Sequence, residues 1–549
     1  MEDRSAQNRM DPFAANASSI TSGIITTFLV FATVMVSLFY DNSYFNILET
    51  KYKCFYLSAL MMLGVLLVLG VILFFIDIKE FQGENAQSLF SSLKPSAWKK
   101  TFGIADAAVL VFWIAALIST LQSEYLYESF WGNEGRYSGL FLITLYVAVY
   151  FVVSRFWHPN RWTLQIFLIA GMIVCYIGIT DYFQMDILHF RDHIKPEQST
   201  IFTSTIGNIN TYTAYVALVM GAAAAMFTTT EGRFRLIWYY FCMVVTFFAI
   251  IFGCSDNAYL ALGALFVFLP LIAFRSRKGT VRYLVMVATF ATVIQCIDYI
   301  NQAYADTVIG LDSLFQVLVN LPGLMGITIA LWAVAVIVFV LFGRGAEQKQ
   351  NPVLRRVWIG ILIAGFLGVC ALLIDANALG HGSRYGSLGN YLVFNDSWGT
   401  NRGFIWKKSV ELYRDFPFMH KLFGYGPDTF GIMTTQKLMG DMVQLTGQVF
   451  DNAHNEYLQF LLTIGPIGTL AYVVFIFGNC RKMERFWKNS QDVGSKAEAW
   501  KAVCAAGCLF AVLCYSFQAV VNLNLPIATP IMWLALGTGS AIVKRGKCS

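Results

Sequence analysis

The chain has 549 residues, of which 57% are hydrophobic, 16% aromatic and only 13% charged. A soluble domain of average composition is about one quarter charged. This composition excludes an ordinary soluble fold, and the net charge of +6 is no nucleic-acid signal, because its position along the chain explains it.

The first nineteen residues, "MEDRSAQNRMDPFAANASS", are polar and mixed in charge, and read as a disordered tail. The apolar run after them has no small-residue cleavage site, so it reads as a retained helix rather than a signal peptide. Further runs long enough to span a bilayer follow along the whole chain. Fourteen are expected, near 20–39, 54–77, 104–121, 138–153, 163–181, 210–227, 236–253, 257–274, 281–298, 322–342, 357–375, 456–478, 499–521 and 526–543. Lipid cannot satisfy a bare backbone, so each should be helical. The fold class is therefore an all-α polytopic integral membrane protein with about 14 transmembrane helices.

The connecting loops alternate in basic content. One set, with the two tails, holds 26 of the 39 lysines and arginines. The short loops of the other set hold Lys51, Lys53, Arg136, Arg191 and Lys195. Basic loops stay in the cytoplasm, which puts both termini inside. The expected organisation is a cytoplasmic tail over 1–19, eleven helices over 20–375, a long external loop over 376–455, three helices over 456–543 and a cytoplasmic tail over 544–549. Among the histidines His189, His193, His381, His420 and His454 fall outside, and His158 inside.

No helix centre carries an acidic or basic residue, whereas ion-coupled transporters usually place such groups near the bilayer midplane. No Walker-type phosphate loop, HExxH motif or cysteine metal cluster is present. The eleven cysteines lie mostly inside apolar runs, as Cys504, Cys508 and Cys514 do, and read as packing residues. Chemistry here has to come from histidine, arginine and carboxylates at the outer surface.

In the long loop, residues 376–400 are rich in Gly, Ser and Asn and read as irregular. Asn401 is the expected N-cap of a helix starting at Arg402 and ended by Pro417. Arg402, Trp406, Val410 and Tyr413 follow one face. An arginine fork grips a diphosphate through two hydrogen bonds, which a lysine cannot do. The alternative for Arg402 is an ion pair with Asp396 or Asp451. Lys407 and Lys408 suit a helix lying near lipid phosphates.

At the end of the loop, "DNAHNEYLQFLLTIGPIG" (451–468) packs Asp451, Asn452, His454, Asn455 and Glu456 at the mouth of the next helix. The positive end of a helix dipole disfavours imidazolium. A neutral histidine can serve as a general base. Asp451 or Glu456 could orient the ring, and Asn452 could cap the helix. The alternative is a histidine that only hydrogen-bonds at the interface. "IGPIG" marks a flexible point near the middle of the helix.

Together, "NRGFIWKKSVELYRDFPFMHKLFGYGPDTF" and "AHNEYLQFLLTIGPIG" resemble the O-antigen ligase and O-antigen polymerase superfamily. The shared features are an arginine with tryptophan four residues on, then proline and a Gly-x-Gly turn. A His-Asn pair follows, opening a helix with Gly-x-x-Gly. The resemblance implies a membrane-embedded GT-C glycosyltransferase, inverting and free of metal or other cofactor, in the bacterial cytoplasmic membrane. Its donor would be a glycan on undecaprenyl diphosphate, and its acceptor a hydroxyl of a glycan or lipid-glycan on the external face. His454 and Arg402 match the family's catalytic pair, with Trp406, Asn455 and Asp451 as substrate-binding neighbours. The family's second arginine, in a Ser-Arg pair, is missing from "CSDNAYLALGALF", where Asp256 follows Ser255. Arg136 could supply that charge, with Asp256 orienting an arginine or a hydroxyl. Asn208 and Asn210 also resemble a family element, although an Asn cap explains them as well. A flippase or polysaccharide transporter is the other reading, and it would need a polar path through the bilayer centre.

Overall fold

The computed structural model describes residues 2–84, 87, 102–192, 194–342, 352–493 and 499–546. Met1, His193, residues 547–549 of the final tail and parts of three basic loops (85–101 apart from 87, 343–351 and 494–498) lie outside the described residues. The described residues are mostly helical, with one short antiparallel strand pair, Phe202–Thr203 and Gly207–Asn208. Among the described residues, ten helices are long and apolar enough to cross a membrane, from Pro12–Leu38 to Ala499–Val521. Two shorter apolar helices, Leu140–Phe156 and Asn257–Ala273, fall on further expected segments. The last two fall on the pair Glu456–Thr463 and Gly465–Val493, and on Thr529–Arg545.

Burial is graded across the bundle. The span in Ile209–Thr229 is 100% buried, whereas that in Val353–Asn377 is 0% buried. Exposed apolar surface on this scale is untenable in water and is the normal outer wall of a protein in lipid. The central helix can be enclosed because its middle is small: "GAAAA" begins at Gly221, where a Cβ would stand 2.3 Å from the Phe510 carbonyl oxygen. Close backbone approach through small residues is how helices pack where lipid removes the hydrophobic drive. Asn208 caps this helix by accepting from the Asn210 N–H at 2.9 Å.

Several local expectations change. The first helix, Glu2–Leu38, runs through the segment whose polarity suggests disorder. Lys51 belongs to helix Ile47–Phe81 rather than to a loop; it is fully buried and donates to the Ser37 carbonyl at 3.1 Å. The irregular stretch 376–400 contains a 3-10 turn, Gly382–Leu388, and a short helix, Gly389–Leu392.

The long loop forms a small helical unit from Trp398–Arg414, Phe418–Phe423 and Phe430–Thr446. Phe404, Ile405, Leu412, Phe416, Phe430 and Met442 form a core of their own, which Leu462 joins from the membrane bundle. The core-facing residues are thus Phe404, Ile405 and Leu412, while Val410 is exposed. Lys407 pairs with Asp396 at 2.8 Å, and Lys408 with Glu411 at 3.0 Å and Asp441 at 3.3 Å.

The "IGPIG" segment is a complete break. Gly465 takes φ +77, and helix Glu456–Thr463 ends before it. The carbonyls released there find new donors, as buried backbone must. Tyr425 N donates to Leu462 O and Gly426 N to Thr463 O, both at 3.0 Å. The Ser119 hydroxyl also donates to Thr463 O at 2.6 Å. The Gly-x-Gly turn of the loop is therefore stitched into the broken helix. A Cβ at Gly465 would stand 2.2 Å from the Leu422 carbonyl oxygen, so glycine is required both for its φ and for space.

Candidate functional site

The break leaves helix Glu456–Thr463 as a short pedestal, and a solvent-open cavity lies at its start. Arg136, Asp428, His454, Asn455, Glu456 and Gln459 line one part of it, and Asn522 and Asn524 another.

His454 precedes the pedestal. Asn455 is the N-cap, accepting from the Tyr457 and Leu458 N–H groups at 3.0 Å each. Asn452 instead accepts from the His454 N–H at 2.8 Å, which turns the chain at φ +46 and projects the ring. Neither expected carboxylate orients that ring. The Asp451 carboxylate is held by Arg136, with Nε to Oδ2 at 2.9 Å and Nη2 to Oδ1 at 2.6 Å. Glu456 turns into the bundle and accepts from Tyr472 at 2.5 Å, Tyr515 at 3.3 Å and Asn524 at 3.2 Å. The ring meets Phe450 edge to face at 6.1 Å. Among the described residues its nitrogens make no hydrogen bond, so both remain available to a ligand.

The expected neutrality of His454 has a different main cause from the helix terminus. Crowding by protein pushes its pKa down to about 4, with Arg402 and Arg136 adding to the effect and Asp451 opposing it.

Arg402 begins the regular part of its helix. Before it, Gly399, Thr400 and Asn401 all take left-handed backbone, at φ 59, 59 and 67. Asn401 is therefore part of a tight reversal rather than a standard cap. Such angles are rare for a β-branched residue like Thr400 and typical of sites where geometry is imposed. The reversal turns the arginine inward, leaving it 9% exposed. Its Nη1 donates to the Gly399 carbonyl at 3.3 Å, and among the described residues its buried Nε has no hydrogen-bond partner. Neither expected ion pair forms, because Lys407 takes Asp396 and Arg136 takes Asp451. Burial lowers the Arg402 pKa, which Asp256 partly offsets. A buried cation lacking a close counter-charge is costly and favours an incoming anion.

Trp406 supports the histidine from below. Its Nε1–H donates to the Ala453 carbonyl at 2.8 Å, and its ring lies 5.3 Å from that of Trp398. Asp256 does not line the His454 cavity. It lies on the Arg402 side, near Asp312, which accepts from the Tyr259 hydroxyl and caps the helix Ser313–Val319. The structure thus brings His454, Arg136 and Asn455 to one cavity, puts Asp451 and Trp406 on their supports, and leaves Arg402 acting on the histidine through its charge. The other histidines are elsewhere: His381 pairs with Asp375 at 2.9 Å, and His420 stacks on Tyr425 at 4.0 Å. Among the described residues no group of three His, Cys, Asp or Glu side chains is arranged to hold a metal ion.

Sequence reasoning missed Asp428, Gln459, Asn522 and Asn524. Asp428 had a signal, since it follows the Gly-x-Gly-Pro turn, but a turn aspartate is ordinarily a surface residue. Here it is 9% exposed and accepts from the Asn133 N–H at 2.7 Å and the Ser138 N–H at 3.1 Å, clamping the segment that carries Arg136. Burial pushes its pKa up to about 6, against those two donors and Arg136.

Fold and site together define an all-α multi-pass membrane protein with a polar, cation-flanked cavity beneath a helical loop unit. Residues 317–473 match the family model described as O-Antigen ligase, a stretch that spans both motif segments. The match bears out the resemblance to the O-antigen ligase-like superfamily. It supports a ligase- or polymerase-like role in polysaccharide biosynthesis, glycosyltransferase-type activity, and a lipid-linked glycan and an acceptor as partners. No curated protein matches the chain.

Proposed function

We propose that this protein transfers a glycan from a polyprenyl diphosphate, undecaprenyl diphosphate in bacteria, to a hydroxyl of a glycan or lipid-glycan acceptor. The reaction takes place on the external face of the cytoplasmic membrane. The observation that carries this reading is a histidine whose ring makes no hydrogen bond among the described residues, flanked by two arginines, one of them buried with no ion-pair partner among those residues.

A departing diphosphate gathers negative charge, and arginines already in place stabilise it without reorganising. Arg402 is suited to this role, with Arg136 as the second cation in place of the family's missing arginine. His454, neutral at physiological pH, takes the acceptor proton. The acceptor oxygen attacks the anomeric carbon from the face opposite the diphosphate, which inverts the configuration. Asn455 and Trp406 hold the histidine segment in place, and Asp451 holds Arg136. No step calls for a metal. Asp256 tunes Arg402 from the far side.

The test is His454→Ala and Arg402→Ala in cells lacking the native gene, with surface polysaccharide resolved on a gel. Loss of polymer at normal protein levels supports the enzyme. Collapse of the ladder to single repeat units marks a polymerase, whereas accumulation of full-length lipid-linked polymer marks a ligase. Wild-type ladders from both variants would remove the reading.

A further inference from the structure

We infer that Asp428 is the final acceptor of the proton released in this reaction, receiving it from His454 across the cavity that both residues line. The inference rests on the glycosyl-transfer reading above.

Three observations point to Asp428. Its carboxylate is buried yet lines the cavity, and among the described residues it forms no ion pair. Its one nearby cation, Arg136, spends its guanidinium on Asp451. Its position is also imposed: the backbone is left-handed at φ +62. Two residues earlier Gly426, at φ +116, lies so close to Ser129 and Ser123 that a Cβ would stand 2.2 and 2.6 Å from their hydroxyl oxygens. A buried carboxylate kept without a cation, on a strained backbone, is expensive as structure alone.

The charged and titratable neighbours come from every side. The segment 132–139 brings Arg136, the end of the loop brings Asp451 and His454, and the pedestal brings Glu456. The segment 522–525 brings only asparagine and leucine. Glu456 turns away into the bundle, where it accepts from Tyr472, Tyr515 and Asn524, whereas the hydrogen bonds of Asp428 come from Asn133 and Ser138, on the segment that carries Arg136 to the cavity.

The step balances as follows. The acceptor O–H breaks as its oxygen bonds to the anomeric carbon, and the bond to the diphosphate breaks with its electron pair. The proton goes to a ring nitrogen of His454, and then from the imidazolium to the Asp428 carboxylate, which becomes a carboxylic acid and restores the neutral histidine. With the histidine held down near 4 and Asp428 raised near 6, the second transfer is downhill. Asp428 afterwards returns the proton to water at the open mouth of the cavity.

The test uses deletion cells expressing each variant. It measures radiolabelled sugar incorporated into surface polymer per molecule of protein, in media from pH 5 to pH 8. Asn at position 428 keeps an oxygen for the two N–H donors and loses the negative charge together with the capacity to take a proton. Asp428→Asn should lower the rate on the order of 100-fold, and Asp428→Glu should restore part of it. The wild-type rate should fall below about pH 6 as Asp428 becomes protonated, and the residual Asp428→Asn rate should lack that limb. A wild-type rate and acid limb in Asp428→Asn would overturn the inference. If that variant fails to accumulate, a wild-type profile flat from pH 5 to pH 7 would overturn it. Loss of polymer in His454→Ala and Arg402→Ala alongside a normal Asp428→Asn removes the relay and keeps the transferase. Normal polymer in all three removes both.

Discussion

Trp406→Phe separates two roles for an aromatic residue beside the proposed glycosyl-transfer site. The sequence places Trp406 among substrate-binding groups, whereas the structure engages its N–H with the Ala453 carbonyl at 2.8 Å, one residue before His454. Phenylalanine keeps an aromatic face against Trp398 and loses that donor. Ala453 is fully buried, so its carbonyl has little access to a replacement partner. An unsatisfied buried acceptor costs about 1–3 kcal/mol. The Ala453 N–H is independently held by Gln459 Oε1 at 3.0 Å, so the displacement should stay local to the turn that projects His454. If about 1.4 kcal/mol of this cost is relieved by moving the histidine out of its reactive position, polymer output should drop about tenfold. The assay is labelled-sugar incorporation per molecule of protein, with thermal unfolding in detergent measured in parallel. Trp406→Phe should be clearly impaired, by a mechanism that preserves the aromatic face. A Trp406→Phe variant with wild-type output, beside an inactive Trp406→Ala, would refute the reasoning and return Trp406 to a stacking role.

Gly465→Ala should be severely destabilising: left-handed backbone costs an L-residue about 1–2 kcal/mol, and the added Cβ collides with the Leu422 carbonyl. Limited proteolysis should then cut the loop unit faster, and wild-type protection would count against the stitched-helix account. Arg136→Ala removes a pair whose Asp451 side chain is 50% exposed, so its effect on melting should be small, about 1 kcal/mol or less. Polymer output should nevertheless fall sharply, and a variant that melts earlier yet makes normal polymer would give Arg136 a structural role only. The depressed pKa of His454 also predicts a stability limb. An unfolded histidine binds its proton near pH 6.5 and the folded one only near 4, so the unfolded chain takes up more protons between those values. Stability should therefore fall as pH drops from about 6.5 to about 4, with no further contribution below that range. Detergent melts of wild type and His454→Gln should show a shallower limb in the variant, and identical limbs would contradict the assignment.

The amino-acid order alone determined the membrane class, because apolar length and lack of charge are local properties and lipid permits only one backbone solution for them. It also determined the segments that matter. Arg402 and His454 stand in motifs whose residue types and spacing are readable one at a time, and so does the long loop between the membrane runs. It could not determine which charges cancel. Asp451 is next to His454 in sequence and belongs to Arg136, more than 300 residues away. Asp396 is near Arg402 in sequence and belongs to Lys407. Partner choice among carboxylates depends on where distant backbones meet, so only the tertiary structure leaves Arg402, among the described residues, without an ion pair and His454 without a hydrogen-bonded ring. The same holds for Asp428. As a residue in a turn it looks solvated, and it becomes a buried carboxylate only because the Gly-x-Gly turn fills the break at Gly465 and the Arg136 segment folds over it. Glycine placement marks a flexible point in a helix, but that the helix breaks there, and what fills the break, is settled by the backbone groups it frees and by the segment close enough to bond them.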